Sequence, residues 1–233
     1  MAEIPFRNAL IIGAGPGISA SLTRMLTGAG LAVALAARDT EKLAPLAAEM
    51  GALTFAADAA DPAAVEALFE QVEQRIGAPE VVIYNASARA PGPLAELEPE
   101  AVRRAVEITA FGAFLAVRQA ARRMEPRGKG AILLTGATAG VKGFPNSAAF
   151  AMGKFALRGL AQSAARELGP KGIHVAHIVV DGGVRSERRP EAADRPDSLL
   201  SPDGVAQAYL DLLRQPRDAW TFELDLRPWV ERF

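Results

Sequence analysis

The sequence contains no cysteine, and this absence excludes several kinds of chemistry. Without thiols the chain has no disulfide framework, no thiolate zinc site and no cysteine nucleophile. It also lacks an excess of charge of either sign, because 26 Lys and Arg residues nearly balance 27 Asp and Glu residues. The net charge of −1 argues against nucleic acid or an anionic membrane surface as the main partner.

Aromatic residues are few, and no long apolar run is present. Only 6% of the residues are aromatic although 50% are apolar, a balance that suits closely packed helices. No stretch approaches the roughly 20 residues of a membrane span, so we expect no membrane partner. No signal peptide precedes the first apolar strand pattern, so we expect a cytoplasmic location.

Segments with strand and helix character alternate over all 233 residues without a break in composition. This alternation predicts one α/β domain over residues 1–233, a Rossmann-type doubly wound parallel sheet of about seven strands with helices on both faces. Long helices are expected at Pro99–Met124 and Ser147–Leu168, and a last strand at Trp220–Leu226. Residues 182–200 are dense in charge and proline, which favours a mobile substrate flap.

A glycine turn joins the first strand, Leu10–Ile12, to the first helix. Its residues are Gly13, Ala14, Gly15, Pro16, Gly17, Ile18 and Ser19. A helix N-terminus behind such a turn offers unpaired N–H groups and partial positive charge, which suit a pyrophosphate. Glycine is needed because a Cβ would block the turn or keep the phosphate away. An ordinary strand-to-helix turn is the alternative interpretation.

The end of the second predicted strand carries Arg38 and Asp39. In dinucleotide folds an acidic side chain at this point binds the ribose 2′-hydroxyl, whereas a guanidinium favours the 2′-phosphate of NADP. Arg38, with Lys42 one helical turn later, predicts a preference for NADP over NAD. Two alternatives stay open: Asp39 as a ribose ligand or helix N-cap, and Arg38 as a solvated loop residue.

More polar residues follow the carboxyl ends of other predicted strands, namely Asp58, Asn85, Gly136 to Thr138, and Asp181. In a parallel sheet these ends meet at one edge, where ligands bind. Asp58 could accept a hydrogen bond from an adenine amino group, whereas Asp61 before Pro62 is expected to cap a helix. His174 and His177 face opposite sides of one strand, so no metal site is predicted.

These features resemble the short-chain dehydrogenase/reductase family over nearly the whole chain. Gly13–Ser19 corresponds to the family's TGxxxGxG, Asn85-Ala86-Ser87 to its NAG, and Lys154 to the lysine of its YxxxK. The resemblance implies hydride transfer with a nicotinamide cofactor and a homodimer or homotetramer formed through the two long helices. It places the cofactor on Gly13, Gly15, Pro16, Gly17, Ile18, Arg38, Asp58, Ala59, Asn85, Ala86, Lys154, Gly182 and Val184.

The catalytic set of the family is largely replaced in this chain. Phe150 stands at the tyrosine position, Ala137 at the serine position and Thr109 at the asparagine position, so only Lys154 remains. In the family the tyrosine gives a proton to the carbonyl oxygen, and the lysine lowers the pKa of that tyrosine. Losing a positioned general acid costs roughly 10²–10⁴ in rate, so ordinary ketone reduction should be impaired. Candidate replacement donors are Thr138, Ser147, Lys154 and Asp181.

We therefore predict an NADP-preferring oxidoreductase, with NAD possible, and an unusual site comprising Lys154, Thr138, Phe150 and Thr109. Such a site suits a small, moderately apolar carbonyl, imine or activated C=C substrate that needs little help from an acid. The alternative is a dinucleotide-binding protein without turnover, a sensor or an assembly subunit. Flap residues Arg185, Arg188, Arg189 and Arg195 could meet an anionic substrate, but the interleaved acidic residues favour a solvated flap.

Overall fold

The computed structural model describes residues 3–231, in which seven strands form one sheet. The strands are β1 (Asn8–Ile12), β2 (Ala32–Ala37), β3 (Leu53–Ala56), β4 (Val81–Tyr84), β5 (Gly130–Thr135), β6 (Ile173–Val180) and β7 (Glu223–Leu226). All neighbours pair in parallel in the order β3-β2-β1-β4-β5-β6-β7. The predicted doubly wound parallel sheet is therefore confirmed.

Helices cover both faces of the sheet, as the sequence predicts. They are α1 (Ile18–Gly28), α2 (Ala44–Met50), α3 (Pro62–Ile76), α4 (Pro99–Val106), α5 (Gly112–Met124), α6 (Ala148–Leu168) and α7 (Pro202–Leu213). Alternate side chains of each strand enter two cores, so that Leu10 of β1 packs with α3, α5 and α6 while Ile11 packs with α1, α2 and α7. Each such buried aliphatic side chain contributes about 1.5–3 kcal/mol relative to an exposed one.

Two helices begin at capping side chains, and the cap at Asp61 is the one expected from the sequence. The Asp61 carboxylate accepts from the Ala63 and Ala64 N–H groups at the start of α3, and Pro62 occupies the first helical position. The Ser201 hydroxyl accepts from the Gly204 N–H in the same way at α7. These caps satisfy N–H groups that a helix start otherwise leaves unpaired.

The predicted helix Pro99–Met124 is interrupted by a π-helical turn at Glu107–Phe111. The buried Tyr84 hydroxyl donates a hydrogen bond to the Ile108 carbonyl oxygen. Gly112 gives that hydroxyl room, because a Cβ there would collide with it. Such turns are frequent near functional sites, and this one carries Thr109, whose hydroxyl accepts from the Ala88 N–H at 3.1 Å.

The last strand is shorter than predicted, because β7 begins at Glu223 rather than at Trp220. Trp220 instead stacks on His174, with 4.9 Å between the ring centroids. His174 Nε2 also lies 2.9 Å from the Thr221 carbonyl oxygen. Over the described part of the chain, none of the helices is both long and apolar enough to cross a membrane.

Candidate active site

Two adjacent cavities open at the carboxyl ends of the strands, beside the point where the chain reverses between β1 and β4. The first has a volume of about 330 Å³ and the second about 470 Å³, and Asn85 and Ser87 line both. Open α/β sheets bind ligands at this kind of switch point. Most residues predicted for the cofactor site line one of these two cavities.

The glycine turn forms one wall of the first cavity. Gly13 has a φ of +83°, and a Cβ there would collide with the backbone of Ala86. Gly17 occupies the N-cap position of α1, and no side chain caps that helix start. The space in front of Gly15 and Gly17 is open, so the first N–H groups of α1 remain available for an anion.

Asn85 ties the glycine turn to the end of β4. Its amide donates to the Ser19 hydroxyl at 2.9 Å and to the Gly13 carbonyl oxygen at 3.4 Å. The Ser19 hydroxyl donates to the same Gly13 oxygen at 3.3 Å. Ser19, at the third glycine position of the motif, therefore supports the turn with a hydrogen bond that glycine could not make.

Alanine substitutions at Gly13 and Gly15 are expected to have different effects, one on stability and the other on cofactor affinity. Gly13→Ala should lower the free energy of unfolding of the nucleotide-free protein by about 2 kcal/mol or more, because it adds a clash and an unfavourable φ. Gly15→Ala is the matched variant, since a Cβ there meets nothing within 4 Å. It should keep wild-type stability in urea unfolding and lose NADPH affinity. Equal stability of the two variants would contradict this account of the turn.

Charged side chains surround the outer end of the first cavity. Asp39 pairs with Lys42 at 2.8 Å, and its carboxylate also accepts from the Glu41 N–H, so it stabilises the local turn. Arg38 lines the cavity, and within residues 3–231 its guanidinium forms no close ion pair, although its charge helps to lower the pKa of Asp58 across the cavity. The arrangement leaves Arg38, rather than Asp39, as the group open to a ligand.

Asp58 lines the same cavity with Ala59. Its carboxylate accepts from the Ala60 N–H at 3.0 Å and forms an ion pair with Arg104 of α4. Burial opposes ionisation of Asp58, but the Ala60 hydrogen bond and Arg104 together hold its pKa below the usual value. Asp58 is therefore an ionised acceptor at the carboxyl end of β3.

The second cavity contains Lys154, Phe150 and an arginine that the sequence did not point to. Lys154 is buried, and its Nζ donates to the Thr135 carbonyl oxygen at 2.6 Å. The Arg89 guanidinium lies over the Phe150 ring, 4.2 Å from its centroid. Lys154 Nζ lies 5.7 Å from the same centroid. Phe150, for which the resemblance implies the tyrosine position, therefore lies close to both basic groups.

The pKa of Lys154 is lower than that of an ordinary lysine. Burial is the main cause and the nearby Arg89 charge is the second, and together they lower the pKa of Lys154 to about 7. Apart from arginines, which keep their protons, Lys154 is the one side chain among the described lining residues that can ionise near neutral pH. It is therefore suited to give or take a proton there.

A second set of buried groups supports the end of β5 behind Lys154. His177 Nδ1 donates to Glu223, which also accepts from Arg158 at 2.6 Å and 2.7 Å. The Arg158 hydrogen bonds keep the pKa of Glu223 low, while burial lowers the pKa of His177. Gly136 packs on the His177 ring, where a Cβ would collide. Both histidines are therefore buried and hydrogen-bonded within the protein.

Thr138, Thr109 and Asp181 lie outside the lining of the second cavity. The Thr138 hydroxyl donates to the Asp181 carboxylate at 2.6 Å, so its proton is already engaged. A donor role for Thr138 stays a prediction that requires this hydrogen bond to break. Thr109 is fully buried and holds the loop at Ala88. The Asp181 carboxylate accepts from Thr138 and lies 3.6 Å from Arg227, so it is engaged within the protein outside the cavity lining.

The predicted flap, residues 182–200, folds back on itself beside the second cavity. Arg185 N–H donates to the Leu200 carbonyl oxygen, and Leu200 N–H donates to that of Gly183. Gly182 and Val184 line the cavity with Ile18, and their contact with a cofactor stays a prediction. The flap also places Arg188 and Arg189 at the cavity wall. Its mobility stays a prediction.

Comparison with known proteins agrees with this geometry. A family model described as short chain dehydrogenase matches residues 7–196. L-2,3-butanediol dehydrogenase of Corynebacterium glutamicum is 31% identical over 183 residues, covering 75% of this chain and 70% of the relative. The crystal structure of a short-chain dehydrogenase from Rhodopseudomonas palustris has a TM-score of 0.82 at 37% identity, covering 96% of this chain and 99% of that one.

An alcohol dehydrogenase from the archaeon Thermococcus sibiricus, complexed with 5-hydroxy-NADP, has a TM-score of 0.86 at 26% identity. The similarity covers 97% of this chain and 98% of that one. Sheet order, glycine turn and buried lysine agree with the family match over most of the sequence, and the chain belongs to the short-chain dehydrogenase family.

Proposed function

We propose that this protein is an NADP-preferring oxidoreductase that acts on a small, moderately apolar carbonyl, imine or activated C=C substrate. The observation that carries the proposal is the pair of cavities joined at Asn85, one with a phosphate cradle and one with Lys154. NAD remains the second candidate cofactor. The 5-hydroxy-NADP complex of the archaeal alcohol dehydrogenase supports the class of cofactor.

The residues present fit a phosphorylated dinucleotide. The uncapped start of α1 and the open space at Gly15 and Gly17 suit the pyrophosphate. Ala59 and Ala86 complete the wall of the first cavity. The ionised carboxylate of Asp58 can accept a hydrogen bond from an adenine amino group. Ile18, Gly182 and Val184 would contact the nicotinamide end, with Lys154 near its ribose. When bound, this cofactor supplies or accepts a hydride.

Lys154 takes the proton-donor role in this proposal. In a carbonyl reduction the substrate oxygen gains a proton as its carbon gains the hydride, and Lys154 Nζ can supply that proton from the cavity wall. The Thr135 carbonyl oxygen holds the amine in place. Phe150 excludes water beside the amine and offers no proton. An iminium substrate needs no proton at all, so it suits this site well.

The alternative is a dinucleotide-binding protein without turnover, and Phe150 is the observation that favours it. The discriminating experiment is a fluorescence titration of NADPH followed by absorbance assays against ketones, cyclic imines and enones. Binding followed by oxidation of NADPH with any class supports the oxidoreductase. Binding without oxidation across the panel supports the sensor or assembly subunit, and absence of binding rejects both.

Arg38 provides a direct test of the NADP preference. Arg38→Gln should weaken NADPH binding by about 10- to 100-fold and leave NADH binding nearly unchanged, because charge-assisted hydrogen bonds to the 2′-phosphate are lost. Arg24→Gln is the control, since Arg24 pairs with Glu49 away from the cavity. The measurement is the dissociation constant of NADPH and of NADH for the wild type and both variants, from fluorescence titration. Equal losses for NADPH and NADH would reject Arg38 as the phosphate ligand.

We also propose that the protein forms a homodimer or homotetramer through α5 and α6. Phe114 of α5 and Phe155 of α6 are 45% and 46% exposed, and Phe111 beside them is 43% exposed. Leu157 of α6 is fully buried in the core and does not contribute to this surface. Three large exposed aromatic side chains on adjacent helices suit burial against a second copy.

A further inference from the structure

Three arginines from two separate segments meet at the second cavity. Arg89 follows β4, whereas Arg188 and Arg189 belong to the flap on the other side. Arg189 Nη1 lies beside Gly183, where an added Cβ would approach it to 2.7 Å. The only other charged residue in the described lining is Lys154, so every charge on the wall is positive.

The chain itself leaves these guanidinium groups without counter-charge. Within residues 3–231 no carboxylate forms an ion pair with Arg89, Arg188 or Arg189. The neighbouring Arg185 differs, because it pairs with Glu191 at 3.3 Å. The Glu191 carboxylate also accepts from the Leu199 N–H, so it is used inside the flap. The interleaved acids therefore do not neutralise the wall of the cavity.

The phosphates of a dinucleotide do not account for this charge. In the proposed function, the pyrophosphate lies at the glycine turn and the 2′-phosphate at Arg38, and both of these line the first cavity. Arg38 does not line the second cavity, and of the glycine turn only Ile18, at the start of α1, does so. Arg89 in addition lies against Phe150, on the wall where the substrate would sit.

We propose that the second cavity takes a substrate bearing a carboxylate or phosphate group, which Arg89, Arg188 and Arg189 bind. The inference rests on the proposed function, because it names the substrate class of the same site. A guanidinium is planar and offers paired N–H donors that match both anions. The apolar face of Phe150 then contacts the carbon skeleton, so the expected substrate is a small organic acid or phosphate ester.

Binding of unreactive anions tests the inference without depending on turnover. Pentanoate, pentyl phosphate and uncharged pentanamide are titrated calorimetrically into the protein saturated with NADP⁺. At least one of the two anions should bind about tenfold or more tightly than pentanamide, and its affinity should fall with added NaCl. The anion that binds more tightly identifies the group that the substrate carries.

Variants then assign the binding to the arginines. Arg89→Gln and Arg189→Gln should each weaken binding of the preferred anion by about tenfold, with pentanamide unaffected. Arg195→Gln removes the same charge from an exposed part of the flap outside the cavity and should bind like wild type. Arg188→Gln repeats the test at a third position, so one misfolded variant does not decide the result.

The possible outcomes separate the two proposals. Failure to bind NADP⁺ would reject the proposed function and the inference together. Normal NADP⁺ binding with equal affinities for pentanoate, pentyl phosphate and pentanamide would reject the inference alone. Variants that weaken NADP⁺ binding but not anion binding would assign the arginines to the cofactor, and this also overturns the inference.

Discussion

Phe150→Tyr is expected to raise the rate of ketone reduction by about 10²–10⁴, because it restores a phenol proton donor. The ring is held in the wall of the second cavity, with Lys154 Nζ 5.7 Å from its centroid. A neighbouring lysine charge stabilises a phenolate and so lowers the pKa of a phenol. The measurement is kcat/KM for NADPH oxidation with a ketone, compared with wild type.

The control for this gain is Phe155→Tyr. Phe155 lies on the same helix but is 46% exposed and does not line the cavity, so its added hydroxyl should give no gain in ketone reduction. Imine reduction should rise far less than ketone reduction in Phe150→Tyr, because an iminium carbon needs no added proton. If the variant binds NADPH normally but reduces no ketone, the cavity does not position a substrate, and the non-catalytic alternative gains support.

Much of the geometry of the first cavity could be predicted from the sequence, because its determinants are local. Gly13 needs a positive φ and close contact with Ala86, and both requirements show as glycine in a strand-turn-helix pattern. Asn85 and Asp58 follow directly after predicted strands, whose carboxyl ends must meet in a parallel sheet. Such positions follow from hydrophobic pattern and sheet geometry alone.

The second cavity and its surroundings depend on contacts between distant segments of the chain, and no local sequence pattern encodes such contacts. Arg89 stacks on Phe150 only because the loop after β4 reaches the start of α6. Arg104 meets Asp58 through the packing of α4 on the end of β3. The hydrogen bond from the Thr138 hydroxyl to the Asp181 carboxylate likewise forms because the ends of β5 and β6 are adjacent. A sequence shows that these residues are polar but not which partners they find.

The interruption of the long helix illustrates the same limit. The apolar spacing over Pro99–Met124 is helical throughout, so it predicts one continuous helix. The π-helical turn at Glu107–Phe111 arises with a tertiary hydrogen bond, from the Tyr84 hydroxyl to the Ile108 carbonyl oxygen. A possible signal was Gly112, whose missing side chain makes room for Tyr84.

Lys154→Met should lower ketone reduction by about 10²–10⁴ while reducing iminium reduction much less. The difference between the two substrates isolates the proton, since any lost contact to the nicotinamide ribose affects both alike. In the wild type, ketone reduction needs protonated Lys154 and should fall as pH rises through its pKa, near 7 in the nucleotide-free protein. Equal losses for ketone and iminium substrates would assign Lys154 a binding role only.

Lys154→Met, which is expected to lower activity, is also expected to raise the free energy of unfolding. Lys154 has a folded pKa of about 7, below its unfolded value, so the unfolded chain binds more protons between these two values. Wild-type stability should therefore rise with pH from about 7 toward 10, and the burial penalty is fully present below pH 7. Lys154→Met removes this dependence.

Urea unfolding of the nucleotide-free proteins at several pH values measures the effect. The variant should exceed the wild type most at pH 6 to 7, and its advantage should shrink as the pH approaches 10, over the window between the folded and unfolded pKa values. Lys171→Met, at an exposed lysine that pairs with Glu125, is the control and should follow the wild type. A constant difference between Lys154→Met and wild type across this range would mean that Lys154 keeps an ordinary pKa, and the proton-donor role would lose its physical basis.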